Sequence, residues 1–366
     1  MTKVTHLTSV HPPYDTRIFI KECCTLAVAG YETYLVAPNA PNELRNGVHL
    51  QSVCKLTGSR LLRMTRTVWA VYQKARSINA DIYHFHDPEL IPIGLLLKAD
   101  GKKVVYDVHE DVPRQTLSKN YIPKYLRNLI AWVFERIENF SSKHFDTVVC
   151  ATPFIQKRFL ELNCHAVNIN NYPLLTELYL PDTNWSQKER AVCYVGVIDK
   201  IRGIFEIIEA IDQTNVKLLL AGQFSNVLQR DKAADMPGWT RVEKLGQLNR
   251  KEVAQTLSRA IAGLVLFYPE PNHVNAQPNK MYEYMSAGIP VIASNFPMWQ
   301  QVIESNQCGI CVDPMNSQAI KEAIEWLVEH PEDAKRMGKN GRKAVEAKYN
   351  WEQESKTLLE LYEAIR

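Results

Sequence analysis

The sequence predicts an α/β protein of two doubly wound domains joined by a linker. Three observations carry this. The chain has 366 residues, about two ordinary domains. Short apolar runs of strand length alternate with stretches of helical periodicity, the pattern of parallel sheets covered by helices on both faces. That alternation stops over residues 174–190 and starts again at Ala191. Composition is that of a soluble globular chain, 46% hydrophobic and 23% charged. A net charge of +3 gives no reason to expect nucleic acid as a partner, and 15 Gly with 19 Pro exclude collagenous or low-complexity classes.

The first domain spans 1–173. Strands are expected at Val4–Val10, Thr33–Ala37, Asp81–His86, Lys103–Val108 and Thr147–Ala151. Helices are expected at Arg17–Ala29, closed by Gly30 as a C′ residue, at Arg60–Ile78 and at Leu90–Lys98. Residues 174–190 lack periodicity and read as the linker. The second domain spans 191–350, with strands at Ala191–Gly196, Val216–Ala221, Ala262–Phe267 and Pro290–Ala293. Its helices are expected at Ile204–Asp212, Lys251–Ala260, Met281–Ser286, Gln318–Glu329 and Pro331–Lys348. The last segment, 351–366, reads as a helix crossing back to brace the first domain.

Eight cysteines are scattered without a disulfide framework, and Cys308-Gly-Ile-Cys311 lacks the second ligand pair that zinc wants. They read as plain thiols of a reducing compartment. The first residues lack a signal-peptide core, and no apolar run approaches the roughly 20 residues of a membrane span. The expected location is the cytoplasm, with a peripheral place on the inner face of the cell membrane under one reading. Two features bear on it. From Leu44 to Ala80 there is no acid, but there are Arg45, Lys55, Arg60, Arg63, Arg66, Lys74 and Arg76. That pattern fits an anionic partner, or a solvated helix face. Leu126, Leu129, Ile130, Val133, Ile137 and Phe140 form a helical stripe with Trp132 and Phe134 outside it, and Lys119, Lys124 and Arg127 crowd its start. It fits a helix on anionic lipid, or one packed into the core.

Ligands of doubly wound sheets bind beyond the carboxyl ends of the strands, so an interdomain cleft is the expected active site. Val195–Gly203 leaves the first strand of the second domain and opens a helix. Gly196 lets backbone approach a ligand, and the helix start with Lys200 and Arg202 favours an anion. Alone, this is also an ordinary βα loop. Further on, Asn279 and Lys280 stand at another helix entrance, with Glu283 one turn beyond. A cation, a carboxylate able to accept two ribose hydroxyls, and a helix start suit a sugar nucleotide. His109 follows a strand of the first domain. No Asp-x-Asp metal motif occurs, so neither a metal nor another cofactor is expected.

Asn279-Lys280-Met-Tyr-Glu283-Tyr-Met-Ser-Ala-Gly288-Ile-Pro290-Val-Ile-Ala-Ser294 resembles the signature of family 4 retaining glycosyltransferases of GT-B fold. Ala80–Pro88 with His84 and His86, Val104–Glu110 with His109, Val195–Gly203, and Cys308–Pro314 resemble further segments of that family in the same order. The resemblance covers nearly the whole chain and points to the bacterial surface-polysaccharide subgroup. It implies two facing Rossmann-like domains. It also implies sugar transfer from a nucleoside-diphosphate sugar to a saccharide or lipid-linked acceptor, with retention and without metal. Arg202 and Lys280 would bind diphosphate, Glu283 ribose, and His109 and Asn275 the donor sugar, while Gly196 and Asn279 line the donor site. Asp15 and Arg17 would face the acceptor, or simply cap the first helix. The chain departs from the family at three places: Asn275 stands where the first of two glutamates is usual, Gly196-Val197 replaces Gly-Arg, and His11–Arg17 replaces a Gly-Gly loop. A degenerate nucleotide-sugar-binding subunit of a transferase complex is the alternative that Asn275 and Val197 favour. A nucleotide-sugar epimerase is a second, which lacks an evident set of acid/base carboxylates.

Overall fold

A computed structural model describes residues 1–54, 63–117, 122–181 and 184–366. Lys55, Arg60 and Lys119, named above for their charge, lie outside the described residues. The chain forms two compact units. The first comprises Met1–Asn171 with Gln353–Arg366, the second Tyr172–Glu352.

The first unit holds strands β1 (Lys3–Leu7), β2 (Glu32–Pro38), β3 (Glu43–Arg45), β4 (Val48–Val53), β5 (Ile82–Phe85), β6 (Lys103–Val108), β7 (Thr147–Cys150) and β8 (Ala166–Asn168). They line up as β3-β4-β2-β1-β5-β6-β7-β8, parallel except for the β3–β4 pair. One sheet face is apolar, with Tyr83, Phe85, Tyr106 and Val148 under the helices Ile91–Ala99 and Pro153–Glu161. The other face is polar and equally buried. His6 on β1 sits beside His84 on β5, and Asp107 on β6 lies one step further along. β1 is shorter than the sequence reading because Thr8 and Ser9 turn away to serve Asp87. The Thr8 hydroxyl and the Ser9 N–H donate to its Oδ2 at 2.7 and 2.6 Å.

The C-terminal helix Trp351–Ile365 belongs mostly to this unit. Its Tyr362 is fully buried with its hydroxyl 2.8 Å from His84 Nδ1, and Glu354 accepts the Asn170 N–H at 2.6 Å.

The second unit is a six-stranded parallel sheet. Its strands are β9 (Ala191–Val195), β10 (Lys217–Ala221), β11 (Val242–Gly246), β12 (Ala262–Val265), β13 (Val291–Ser294) and β14 (Gly309–Val312). Their order is β11-β10-β9-β12-β13-β14. Its central strands β9, β10, β12 and β13 are buried on both faces and read as apolar runs, as parallel strands do. The described residues of the 174–190 segment dock onto this unit. Lys188 donates to the Ser258 and Ala260 carbonyls at 2.9 and 2.8 Å, at the end of the helix Arg250–Arg259, and Glu189 pairs with Arg259 at 2.6 Å. Leu175, Leu178 and Trp185 also pack against the cores of this unit, spaced too irregularly to show a helical or strand period.

Candidate active site

In the second unit the chain turns sharply after β9. Gly196 has φ +126°, and a side chain on Gly222 would collide with its carbonyl oxygen. The Asp199 side chain accepts the Ile201 N–H at 3.1 Å and opens a short turn, Lys200–Arg202. Gly203, at φ +76°, then starts the helix Ile204–Asp212. A Cβ at Gly203 would strike the Leu266 carbonyl, so the helix start is pinned close to β12.

Lys280 enters this place from the helix Asn279–Ser286. It is buried, and its Nζ lies 3.6 Å from the Tyr194 ring centroid and 5.5 Å from that of Phe267, with no hydrogen-bond partner among the described residues. Arg202 packs over the same Phe267 ring at 5.4 Å. Burial, and then the Arg202 charge, push the Lys280 pKa well down against the opposing pull of Glu283. Two cations thus share one aromatic floor without an anion on Lys280, an arrangement that a diphosphate would complete.

Glu283 stands one turn beyond Lys280 and is held from outside the helix. Arg250 NH1 lies 2.9 Å from its Oε1, while Arg250 Nε and NH2 grip Glu177 at 2.7 Å each. Asn279 is exposed at the helix entrance, and Asn275 is half-buried in the preceding loop. There His273 is buried and donates from Nδ1 to the Tyr268 carbonyl at 3.1 Å. Arg250, Tyr194 and Phe267 were not legible as site residues, because their places depend on side-chain packing rather than on a motif.

The first unit brings a different group together. His109, just past β6, is 19% exposed at its side chain, with Nε2 2.9 Å from Asp107 Oδ2. The His11 ring lies 5.1 Å from it and stands between Asp15 Oδ2 at 3.5 Å and Asp87 Oδ1 at 3.4 Å. Burial opposes a charge on His11, but Asp15 and Asp87 outweigh it and raise its pKa.

Arg17, expected to face the acceptor or to cap the first helix, is buried, with its guanidinium donating to both Asp107 oxygens at 2.9 and 2.8 Å and to the Ile169 carbonyl at 3.0 Å. Asp15 does cap the helix. Its Oδ1 accepts the Arg17 and Ile18 N–H groups at 2.8 and 3.0 Å. The segment Thr16–Cys23 is wound as a π-helix. In i→i+5 winding, residues five apart share a face. Arg17 and Glu22 therefore both turn inward, Nε to Oε1 at 3.1 Å.

Glu22, His84, His86 and Asp107 carry donor atoms within 4.8 Å of one another, a set whose chemistry fits a divalent cation. Their arrangement fits one poorly. The His84 and His86 rings stack at 4.7 Å and 19° rather than converge, and Arg17 already supplies positive charge to both carboxylates. Burial raises Asp107, but Arg17 and then His109 outweigh it and hold its carboxyl well below the usual range. Burial and then Asp107 drive Glu22 well above.

The helix Lys124–Ser142 turns Ala131, Glu138, Ser141 and Ser142 inward. The Glu138 carboxylate pairs with Arg158 and accepts the Tyr106 hydroxyl. The apolar stripe points outward instead. Tyr125, Leu129, Ile130, Trp132, Val133, Ile137 and Phe140 are all exposed, Trp132 by 56% and Phe140 by 64%. Arg136 lies against the Trp132 ring at 5.5 Å. No helix among the described residues is long and apolar enough to cross a membrane.

Comparison with known proteins adds sequence and fold relatives. D-rhamnosyltransferase WbpZ of Pseudomonas aeruginosa is 24% identical over 287 residues, which cover 76% of this chain and 72% of that one. The capsular polysaccharide biosynthesis glycosyltransferase CapM of Staphylococcus aureus is 26% identical over 175 residues, 44% of this chain and 43% of that one. Among solved structures, sucrose-phosphate synthase from Thermosynechococcus elongatus superposes with a TM-score of 0.80 at 21% identity, over 100% of this chain and 99% of that one. Anabaena HepE, solved in complex with UDP-glucose, gives 0.76 at 15% identity over the whole of both chains. Residues 20–170 match glycosyltransferase family 4, and residues 176–344 match the glycosyl transferases group 1 family. With both halves matched and both sheets in place, the chain belongs to the family 4 glycosyltransferases of GT-B fold.

Proposed function

We propose that this glycosyltransferase is a retaining, metal-independent enzyme that takes a sugar from a nucleoside-diphosphate sugar. It delivers that sugar to a saccharide or lipid-linked acceptor of a cell-surface polysaccharide, on the cytoplasmic side of the membrane. The observation that carries the donor class is the unpartnered Lys280 amine beside Arg202 at the turn of Gly196, with an oriented carboxylate, Glu283, one helical turn away. HepE, whose structure holds UDP-glucose, supports a nucleotide-sugar donor. WbpZ and CapM, named for rhamnosyl transfer and capsule synthesis, support the polysaccharide setting. The outward apolar face of Lys124–Ser142 supports a peripheral place on anionic lipid.

In this reading the bond from the sugar anomeric carbon to the β-phosphate oxygen breaks as the acceptor oxygen bonds to that carbon from the same face. The acceptor proton passes to the departing phosphate oxygen. Arg202 and Lys280 stabilise the charge that builds on the diphosphate, and His109 hydrogen-bonds the transferred sugar. The rest of the catalysis is positioning.

The test offers UDP-, GDP- and ADP-sugars to the purified protein together with a membrane extract. Transfer of label to a lipid-soluble or polymeric product, with the α-configuration of the donor kept, is the expected result. A changed free nucleotide sugar without transfer means an epimerase. Nucleotide binding without any turnover means a binding subunit, the outcome that Asn275 in place of a glutamate would then explain.

A further inference from the structure

Glu283 and Lys280 are three residues apart on one helix, a spacing that normally pairs a carboxylate with an ammonium. They are not paired. The Lys280 amine has no hydrogen-bond partner among the described residues, and the Glu283 Oε1 is taken by Arg250 at 2.9 Å. Arg250 is the first residue of its own helix, Arg250–Arg259, whose start is fixed by the Asn249–Glu252 capping box. Its other two nitrogens are fixed bidentately on Glu177, at 2.7 Å each. Glu177 itself sits in the docked 174–190 segment. The guanidinium is therefore held on one side by a rigid planar grip and reaches Glu283 with the nitrogen that remains.

We propose that Arg250 is a positioning residue for the donor site. It draws the Glu283 carboxylate off Lys280, so that one glutamate oxygen stays available to the ribose diol and the lysine amine stays available to the diphosphate. Without Arg250 the two oppositely charged side chains close on each other, and both donor contacts are lost together. This inference rests on the reading of Glu283 as the ribose carboxylate, and the test separates the two.

The test measures, by calorimetry, the affinity of UDP or GDP, whichever the wild-type protein binds more tightly, against its 2′,3′-dideoxy counterpart. In the wild-type protein, removing both hydroxyls weakens binding by about ten- to a hundredfold, the worth of hydrogen bonds to a charged group. In Arg250→Met that penalty shrinks to about threefold or less, because no carboxylate is left facing the diol. Arg250→Lys restores part of it. A merely destabilised protein would lose affinity for both nucleotides alike and keep their ratio. Thermal melting of Arg250→Met and Arg250→Lys shows that folded protein is being compared. If the wild-type protein ignores the missing hydroxyls, the ribose reading of Glu283 fails and takes the inference with it. If the wild type discriminates and Arg250→Met discriminates equally, the inference alone is overturned.

Discussion

Lys280 is a buried amine lying on an aromatic ring, and its environment is incomplete without an anion. Arg202→Ala and Lys280→Ala should each weaken nucleoside diphosphate binding by about ten- to a hundredfold, the worth of a charged hydrogen bond. Each should leave the affinity of the bare nucleoside little changed, and calorimetry with both ligands checks this. Equal losses for nucleoside and diphosphate would show a collapsed site instead. His109 lies in the first unit, with its Nε2 engaged by Asp107. His109→Ala should lower kcat by about ten- to a hundredfold and leave nucleotide affinity near wild type. Wild-type turnover in that variant would leave His109 only a structural place. At this scale the sequence was half legible. Lys280 and Glu283 sit in one continuous stretch, so their type and spacing were visible. Arg250 lies more than thirty positions upstream of Glu283, and nothing in the intervening residues announces the pair. The burial of Arg17 was not legible for a related reason, because it is the winding of its helix that turns it inward.

Among elements, the central strands were legible because parallel strands buried on both faces are apolar throughout. The outer strands β3, β4, β8, β11 and β14 were not expected at all. β3, β8, β11 and β14 are short or only partly buried, and the alternation of β4 covers only Val48–Gln51, so the signal in each is brief. The helix Lys124–Ser142 shows the limit of periodicity in another way. Its stripe marks an apolar face but does not say which way that face points. The inward face is made of Ala, Ser and a paired Glu, while seven large apolar side chains look out. Replacing Trp132 and Phe140 together with Ser should remove most binding to anionic vesicles in a sedimentation assay. The same change should leave the melting temperature within about 2 °C of wild type, since exposed positions contribute little to stability. Unchanged sedimentation would dissociate this face from lipid.

At the scale of the whole molecule, the buried histidines set how the first unit responds to acid. Burial drives His6 and His84 well below the ordinary histidine range and takes His86 down to about 4. The unfolded chain binds protons at these sites below about pH 6.5, and the folded chain does not. Stability is therefore complete above that pH and is lost as pH falls from about 6.5 toward 4. Glu22 has the opposite sign, because its raised pKa favours the folded state on acidification, and the raised Glu138 and Glu354 act with it, so together they offset part of the histidine effect. The net effect should be a loss of stability on acidification. Urea unfolding at pH 7, 6 and 5 checks this, and a flat midpoint would show that the histidines titrate normally. Glu22→Gln should steepen the loss. The His84 side chain is itself completed by Tyr362, whose hydroxyl lies 2.8 Å from its Nδ1. That contact has a consequence for biosynthesis. The first unit closes at Asn171 but resumes only at Gln353. At roughly 5–20 residues per second, a ribosome needs on the order of ten to forty seconds to cover the interval. For that time the nascent first sheet lacks its last helix, and the stacked histidines are open to water on the side that Tyr362 will later cover. The second unit has been wholly translated by the time that helix is made, so the half that begins first is the last to be completed.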